Sequence, residues 1–251
     1  GRIPSTLGSA ADVCLLTPDA AEACPHVLAP TTSTTMMLAL GEALAALHPA
    51  FGADTAQGRP GDALEYTAAA GAAAILLGSD KDEKALCRID RTLSFTTDTP
   101  DFWRPNQSPY PKHAGRFTGE PAYFRHIEEA IRGMLSVARV AAQDIDHVVL
   151  HMPNARFPAK VFRTFGFSEE QYAHGFIVPT VGNTYSACSL LGLVEVLQNA
   201  TEDETILLVS YGSGAGSDAF LMTMLRDGVR LPPEDREVEY LSYSRYTAPR
   251  A

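Results

Sequence analysis

His147-Val148-Val149-Leu150-His151-Met152-Pro153-Asn154 is the stretch that decides the fold. A short aliphatic run between two histidines, broken by Pro-Asn, reads as a strand buried on both faces that ends in a turn. A helix pattern follows from about Ala155 to Phe165. The order then recurs: Val178 to Gly182 leads to Asn183 and a helix pattern from Tyr185 to Asn199, and Glu204 to Tyr211 is a second apolar strand. After Gly212-Ser213-Gly214-Ala215-Gly216-Ser217 the chain returns as a strand from Asp218 to Leu225. Strands alternating with helices over this length predict an α/β layered domain with a mixed sheet.

Upstream, Glu120 to Ala142 predicts an amphipathic helix, with Ile127, Ile131, Met134, Leu135 and Ala138 near 3.6-residue spacing. Thr67 to Gly78 and Arg91 to Thr97 predict strands, the first small-residue and aliphatic, the second alternating. Asp98 to Gly119 is a long aromatic and Pro-rich loop, of the kind that packs over a ligand or partner. The texture changes near Phe51. Before it, Asp12 to Leu16 predicts a strand and Met36 to Leu47 a helix, preceded by the hydroxyl run Thr31-Thr32-Ser33-Thr34-Thr35 that supplies N-caps. The tail from Arg226 is charged and then Tyr-rich, and is expected to wrap the surface.

At 251 residues the chain is long enough for one large domain or two small ones. Hydrophobic residues make up 45% and charged residues 20%, ordinary values for a soluble globular protein. The formal net charge of -10 argues against a nucleic-acid partner, which needs clustered Lys and Arg. No apolar run suits a membrane span and no signal peptide is expected, which makes the cytoplasm the expected location. The four cysteines, Cys14, Cys24, Cys87 and Cys188, show no metal-type spacing, and no metal is expected.

His151 at a strand end and Asn183 ahead of an apolar helix are the candidate catalytic residues. Two neutral donors aimed at one point polarise a thioester or ketone oxygen as it gains charge. The plainer readings are a satisfied core histidine and an N-cap. Cys188, in the first turn of the Tyr185 helix, is the local candidate nucleophile, against the reading of a small buried residue. Glu65, Glu120 and His126 are titratable but read first as solvated or structural. The glycines of residues 212–216 either let backbone approach an acyl group or permit a tight strand crossing.

Two resemblances bear on these motifs. Residues from about 52 onward resemble the C-terminal half of the thiolase superfamily, and within it archaeal-type hydroxymethylglutaryl-CoA synthase. The likeness rests on Gly52-Ala53-Asp54-Thr55-Ala56-Gln57-Gly58-Arg59-Pro60-Gly61-Asp62, Asp98-Thr99-Pro100-Asp101-Phe102-Trp103-Arg104, residues 115–126, His151-Met152-Pro153-Asn154, Gly182-Asn183-Thr184-Tyr185-Ser186 and the glycine-rich residues 212–218, all in order. It implies a thiolase-like layered αβαβα half-domain and condensation of acetyl-CoA with acetoacetyl-CoA, with CoA thioesters as substrates and no separate cofactor. It also implies that His151 and Asn183 serve the acetoacetyl carbonyl, that Gly214 and Gly216 pack against the acyl site, and that Lys160, Arg156 and Ser186 bind substrate. The family's nucleophilic Cys and general-base Glu precede the matched part, so the lone chain is expected to be inactive. A catalytically silent, partner-binding protein is the alternative. Partners implied are a second copy, or a thiolase together with a zinc-bearing OB-fold scaffold, because half of a pseudo-twofold fold exposes an apolar face.

The second resemblance covers residues 1–51. Glu22-Ala23-Cys24-Pro25 and Leu28-Ala29-Pro30-Thr31-Thr32-Ser33-Thr34-Thr35 are similar to a fragment of arabinose-5-phosphate isomerase, of the SIS fold. It lacks that family's phosphate-binding loop, so isomerase activity is not expected of it.

Overall fold

The computed structural model describes residues 61–73, 75–79, 85–108, 110–212, 216–230 and 240–247, together with residue 59 and the backbone of 14–17. The expected helix from Met36 to Leu47, the boundary near Phe51 and Gly214 lie outside the described residues.

In chain order the elements are strands β1 (Cys14–Thr17), β2 (Leu76–Ser79), β3 (Cys87–Thr96), β4 (Phe102–Trp103) and β5 (Lys112–His113), helix α1 (Phe124–Ala138), strand β6 (His147–Leu150), helices α2 (Arg156–Phe165), α3 (Glu169–Tyr172), α4 (Val178–Val181) and α5 (Cys188–Asn199), strands β7 (Thr205–Val209) and β8 (Gly216–Met224), and helix α6 (Tyr243–Thr247). Six strands form one mixed sheet in the order β2-β1-β3-β8-β7-β6, and β4 pairs with β5 apart from it. Strand β1 lies parallel to both β2 and β3, so the segment expected as an appendage contributes a strand inside the sheet.

The sheet is covered on both faces, which gives the layered α/β arrangement the pattern predicts. On one face α1 and α2 bury Ile127, Ile131, Met134, Val161 and Phe162 against Val148, Leu150, Leu207 and Val209. On the other α5 buries Leu193, Val196 and Leu197 against Val149, Ile206, Leu208 and Met222. Alternate residues of β6 and β7 thus face opposite helical layers, which is why both strands read as unbroken apolar runs. Parallel pairing of β6 with β7 requires a long crossover, and α2 to α5 supply it.

Several boundaries shift from expectation. Helix α1 begins at Phe124, because Pro121 keeps Glu120 extended (φ -124°, ψ 115°) within an irregular wide turn from Thr118 to Tyr123. It ends at Ala138, where Arg139 turns left-handed at φ 59°. Of the expected Thr67–Gly78 strand, only Leu76–Ser79 joins the sheet, while Ala68 makes an isolated bridge to Asn183. Strand β3 starts at Cys87, before the expected Arg91, and carries an irregularity between Ile89 and Arg91 where its pairing with β8 slips.

Candidate active site

Strand β6 delivers His151 at its carboxyl end, the end where open α/β sheets place ligands. The His151 backbone is held twice: its N–H donates to the Val209 carbonyl at 2.9 Å, and its carbonyl accepts the Tyr123 hydroxyl at 2.6 Å. The imidazole is packed near the rings of Tyr123 (6.5 Å between centroids) and Tyr211 (6.2 Å). Burial disfavours the imidazolium and pulls the His151 pKa down to about 4, so the ring is neutral at pH 7. A neutral imidazole still donates one N–H, which suits it to polarise an oxygen without first losing a proton.

Asn183 is buried, and its turn is pinned on both sides by the segment Thr67–Ala69. Its N–H donates to the Thr67 carbonyl at 2.6 Å, and its own carbonyl accepts the Ala69 N–H at 2.8 Å. The side-chain oxygen Oδ1 accepts the Tyr185 N–H at 2.8 Å. With Oδ1 committed, the amide Nδ2 is the donor left over. Gly182 makes this turn possible: at φ +88° an added Cβ would stand 2.9 Å from the Ala69 Cβ and 3.0 Å from the Thr67 carbonyl oxygen.

The two segments are joined through Cys188. Its thiol approaches the Met152 carbonyl at 3.5 Å, and Met152, Val178 and Cys188 form one buried cluster. Cys188 sits one turn after Asn183, and Met152 directly follows His151, so the backbones carrying the candidate pair are neighbours. A cavity of about 370 Å3 opens next to these segments, lined by Tyr66, Thr67, Asn154, Val178, Thr180 and Gly182 among others, with neither His151 nor Asn183 on its wall.

Asn154 does not point into chemistry: its Oδ1 accepts the N–H groups of Arg156 (2.9 Å) and Phe157 (3.1 Å) and caps α2. Lys160 is half exposed, with its ammonium 3.3 Å from Glu120 and 3.9 Å from the centre of the Phe124 ring. Arg156 and Ser186 are exposed. Gly216 answers to strand crossing, since an added Cβ would meet the Phe95 carbonyl oxygen at 2.5 Å. The Cys188 thiol is fully buried, and burial pushes its pKa up to about 11 even though hydrogen bonds partly oppose this. Cys87 is likewise buried, its thiol pushed up to about 12 by desolvation and then by Asp90. Neither matches an activated thiolate.

Glu65 accepts the Gly61 N–H at 2.6 Å and the Tyr243 hydroxyl at 3.1 Å. His126 is buried between the Thr97 hydroxyl (3.0 Å) and the Ala122 carbonyl (2.6 Å), a structural setting. The sequence reading missed Tyr123, Tyr211 and Asp101. Tyr211 donates its hydroxyl to the fully buried Asp101 carboxylate at 3.0 Å, and its ring stacks edge-on against Tyr123 at 5.5 Å. These aromatics build the wall behind His151. No spacing rule announces them, because each comes from a different element.

Residues 135–224, which include both His151 and Asn183, match the family described as 3-Oxoacyl-[acyl-carrier-protein (ACP)] synthase III C terminal. The chain is 48% identical over 225 residues to the hydroxymethylglutaryl-CoA synthase of Methanococcus maripaludis (strain C6 / ATCC BAA-1332), a span covering 88% of this chain and 64% of that protein. It is 55% identical over 171 residues to the hydroxymethylglutaryl-CoA synthase of Methanopyrus kandleri, covering 68% of this chain and 48% of that one. The chain therefore spans less than two thirds of the length of these curated relatives. A crystal structure of HMG-CoA synthase complexed with CoA superposes with a TM-score of 0.58 at 19% identity, over 86% of this chain and 65% of that chain. The fold is thiolase-like, and the sequence is homologous to the archaeal hydroxymethylglutaryl-CoA synthases over most of this chain.

Proposed function

We propose that this chain carries the carbonyl-polarising part of a hydroxymethylglutaryl-CoA synthase-like site, acting on acyl-CoA thioesters in the route that joins acetyl-CoA to acetoacetyl-CoA. One observation carries the proposal. The Asn183 amide has its oxygen fixed by Tyr185 N–H and its nitrogen left as donor, on a turn whose Cys188 reaches the residue after a neutral His151. Both groups are donors at neutral pH, and the backbone that carries each is pinned by hydrogen bonds before any substrate arrives. Preorganised donors of this kind favour the developing alkoxide over the ground-state ketone, which is what lowers a barrier.

In this reading the acetoacetyl ketone oxygen sits between His151 and Asn183, and its carbon is attacked by the carbanion of an enzyme-bound acetyl group. Arg156, Lys160 and Ser186 meet the CoA moiety at the rim, and residues 212–216, with Gly214 and Gly216, border the acyl group. Neither thiol described in full, Cys87 or Cys188, supplies the thiolate, since both are buried and held protonated. Residues 52–251 carry most of the thiolase-like part, and β1 from residues 1–51 joins the same sheet. A second copy, or a thiolase with an OB-fold scaffold, covers the open side of α5, where Leu191 and Val194 line a cavity with Phe176 and Ile177. The setting is cytoplasmic.

The test is acetoacetyl-CoA labelled with 13C at the ketone carbon. On binding, its resonance moves downfield in the wild-type chain, and the shift is lost in His151→Ala and in Asn183→Ala. A bound ligand whose ketone resonance matches that in water rejects the proposal and favours a silent, partner-binding protein. Radiolabelled acetyl-CoA leaves no label on the denatured lone chain.

A further inference from the structure

We propose that Glu65 is a positioning residue for the Asn183 turn, and that Tyr243 of the C-terminal helix α6 is the latch that keeps it in place. The proposal rests on the reading of Asn183 as a site residue, and it adds the far end of the chain to what orders that residue.

Asn183 takes both of its backbone hydrogen bonds from one short segment. Its N–H donates to the Thr67 carbonyl at 2.6 Å and its carbonyl accepts the Ala69 N–H at 2.8 Å, so Asn183 is only as well placed as Thr67 and Ala69 are. That segment has little packing of its own. No residue from Gly61 to Ala72 is buried, and Tyr66 is 80% exposed. Glu65–Thr67 makes a single turn of 3-10 helix with no side-chain cap. A stretch with so few buried contacts opens locally at small free-energy cost unless hydrogen bonds hold it.

Backbone turns supply part of that hold: Asp62 N–H to the Arg59 carbonyl at 2.9 Å, Glu65 N–H to the Asp62 carbonyl at 3.1 Å, and Ala68 N–H to the Glu65 carbonyl at 3.2 Å. The Glu65 side chain closes the set. Its Oε2 accepts the Gly61 N–H at 2.6 Å, four residues back, and the same oxygen accepts the Tyr243 hydroxyl at 3.1 Å. Gly61 is left-handed at φ +82°, and an added Cβ there would meet nothing within 4 Å, so the bond to Glu65 fixes it where packing does not. The other carboxylate oxygen, Oε1, is shut away from solvent and has no hydrogen-bond partner among the described residues. Oε2 therefore carries the hydrogen bonding of this carboxylate, and it joins α6 to the segment that pins Asn183. Bonds of this charge-assisted kind are the stronger ones.

Tyr66 and Thr67 stand between the latch and the pinned turn, and both line the cavity of about 370 Å3. Releasing Tyr243 thus loosens the cavity wall and the Asn183 turn together. His151 is untouched by this, because its backbone is held by Val209 and Tyr123 instead.

The experiment is amide hydrogen exchange, followed by NMR on the full chain, in wild type, Tyr243→Phe, Glu65→Ala and Glu65→Gln. The Asn183 and Ala69 amides are expected to exchange about fivefold faster in Tyr243→Phe and about tenfold faster in Glu65→Ala. The His151 and Leu208 amides should keep their wild-type rates in both. Glu65→Gln, which retains an acceptor oxygen, should restore most of the protection. Acceleration of all four amides alike is a loss of global stability and overturns the proposal. So do Asn183 and Ala69 rates that match wild type in both Tyr243→Phe and Glu65→Ala. These rates are read without ligand, so a ketone resonance of acetoacetyl-CoA that fails to shift in wild type rejects the function proposed above while the exchange data still decide the latch.

Discussion

One four-residue strand carries a histidine at its amino end and delivers another just beyond its carboxyl end, and the two live in opposite electrostatic worlds. His147 faces the carboxylate of Glu204 across 3.0 Å, whereas His151 faces tyrosine rings and has its charged form suppressed by burial. The difference lies in the elements around them. At the amino end, the turns after α5 and before β6 bring in Glu204, Thr201 and Asp146 beside solvent. At the carboxyl end, Tyr123 ahead of α1 and Tyr211 beyond β7 set their rings against the imidazole. The same residue type is thereby made a carboxylate-linked base at one end and a neutral donor at the other.

The sharpest way to break the carboxyl end alone is Gly182→Val. A branched side chain at φ +88°, set against Ala69 and the Thr67 carbonyl, should cost about 4 kcal/mol in denaturant unfolding and release the Asn183 turn. The next effect is one of pH. Because His151 titrates near 4 in the folded chain and near 6.5 when unfolded, the unfolded state binds the extra proton as pH falls from 6.5 to 4. Stability should therefore drop across that window, by about 3 kcal/mol at its lower end, and stay flat above it. His151→Gln should remove this slope, while His147→Gln should leave it in place. Unfolding free energies measured from pH 4 to 7.5 decide the matter.

Tyr123→Phe deletes the hydroxyl that holds the His151 carbonyl and leaves that buried acceptor unsatisfied. The expected loss is about 2 kcal/mol by chemical denaturation, with a weaker 13C shift of bound acetoacetyl-CoA. At the amino end, His174→Ala should change stability by less than about 0.5 kcal/mol, because the ring, 6.0 Å from that of His147, is exposed and makes no hydrogen bond among the described residues. A loss comparable to that of Tyr123→Phe would show that the two strand ends are less different than their surroundings indicate.

The contrast between the ends also explains what the sequence could and could not reveal. Val148, Val149 and Leu150 announce a doubly covered strand because apolar residues occupy both of its faces, and Thr205 to Val209 does the same. His151 and Asn183 stand out because each interrupts such a run next to a Pro or Gly. Asn154 stands out for the same reason yet serves α2 as its cap, since the pattern for a cap and for a site is identical until its partners are known. Composition favours regular elements at Glu120 and Thr67; Pro121 and the pairing with Asn183 override that preference. Tyr123, Asp101 and Tyr211 come from three separate segments and meet only in the fold, so no local pattern betrays them.

A crystal structure of the chain with acetoacetyl-CoA bound tests the central claim most directly. The account predicts the ketone oxygen within about 3.2 Å of both a ring nitrogen of His151 and Nδ2 of Asn183. A ketone oxygen directed elsewhere, with either group turned away from the acyl chain, would contradict it.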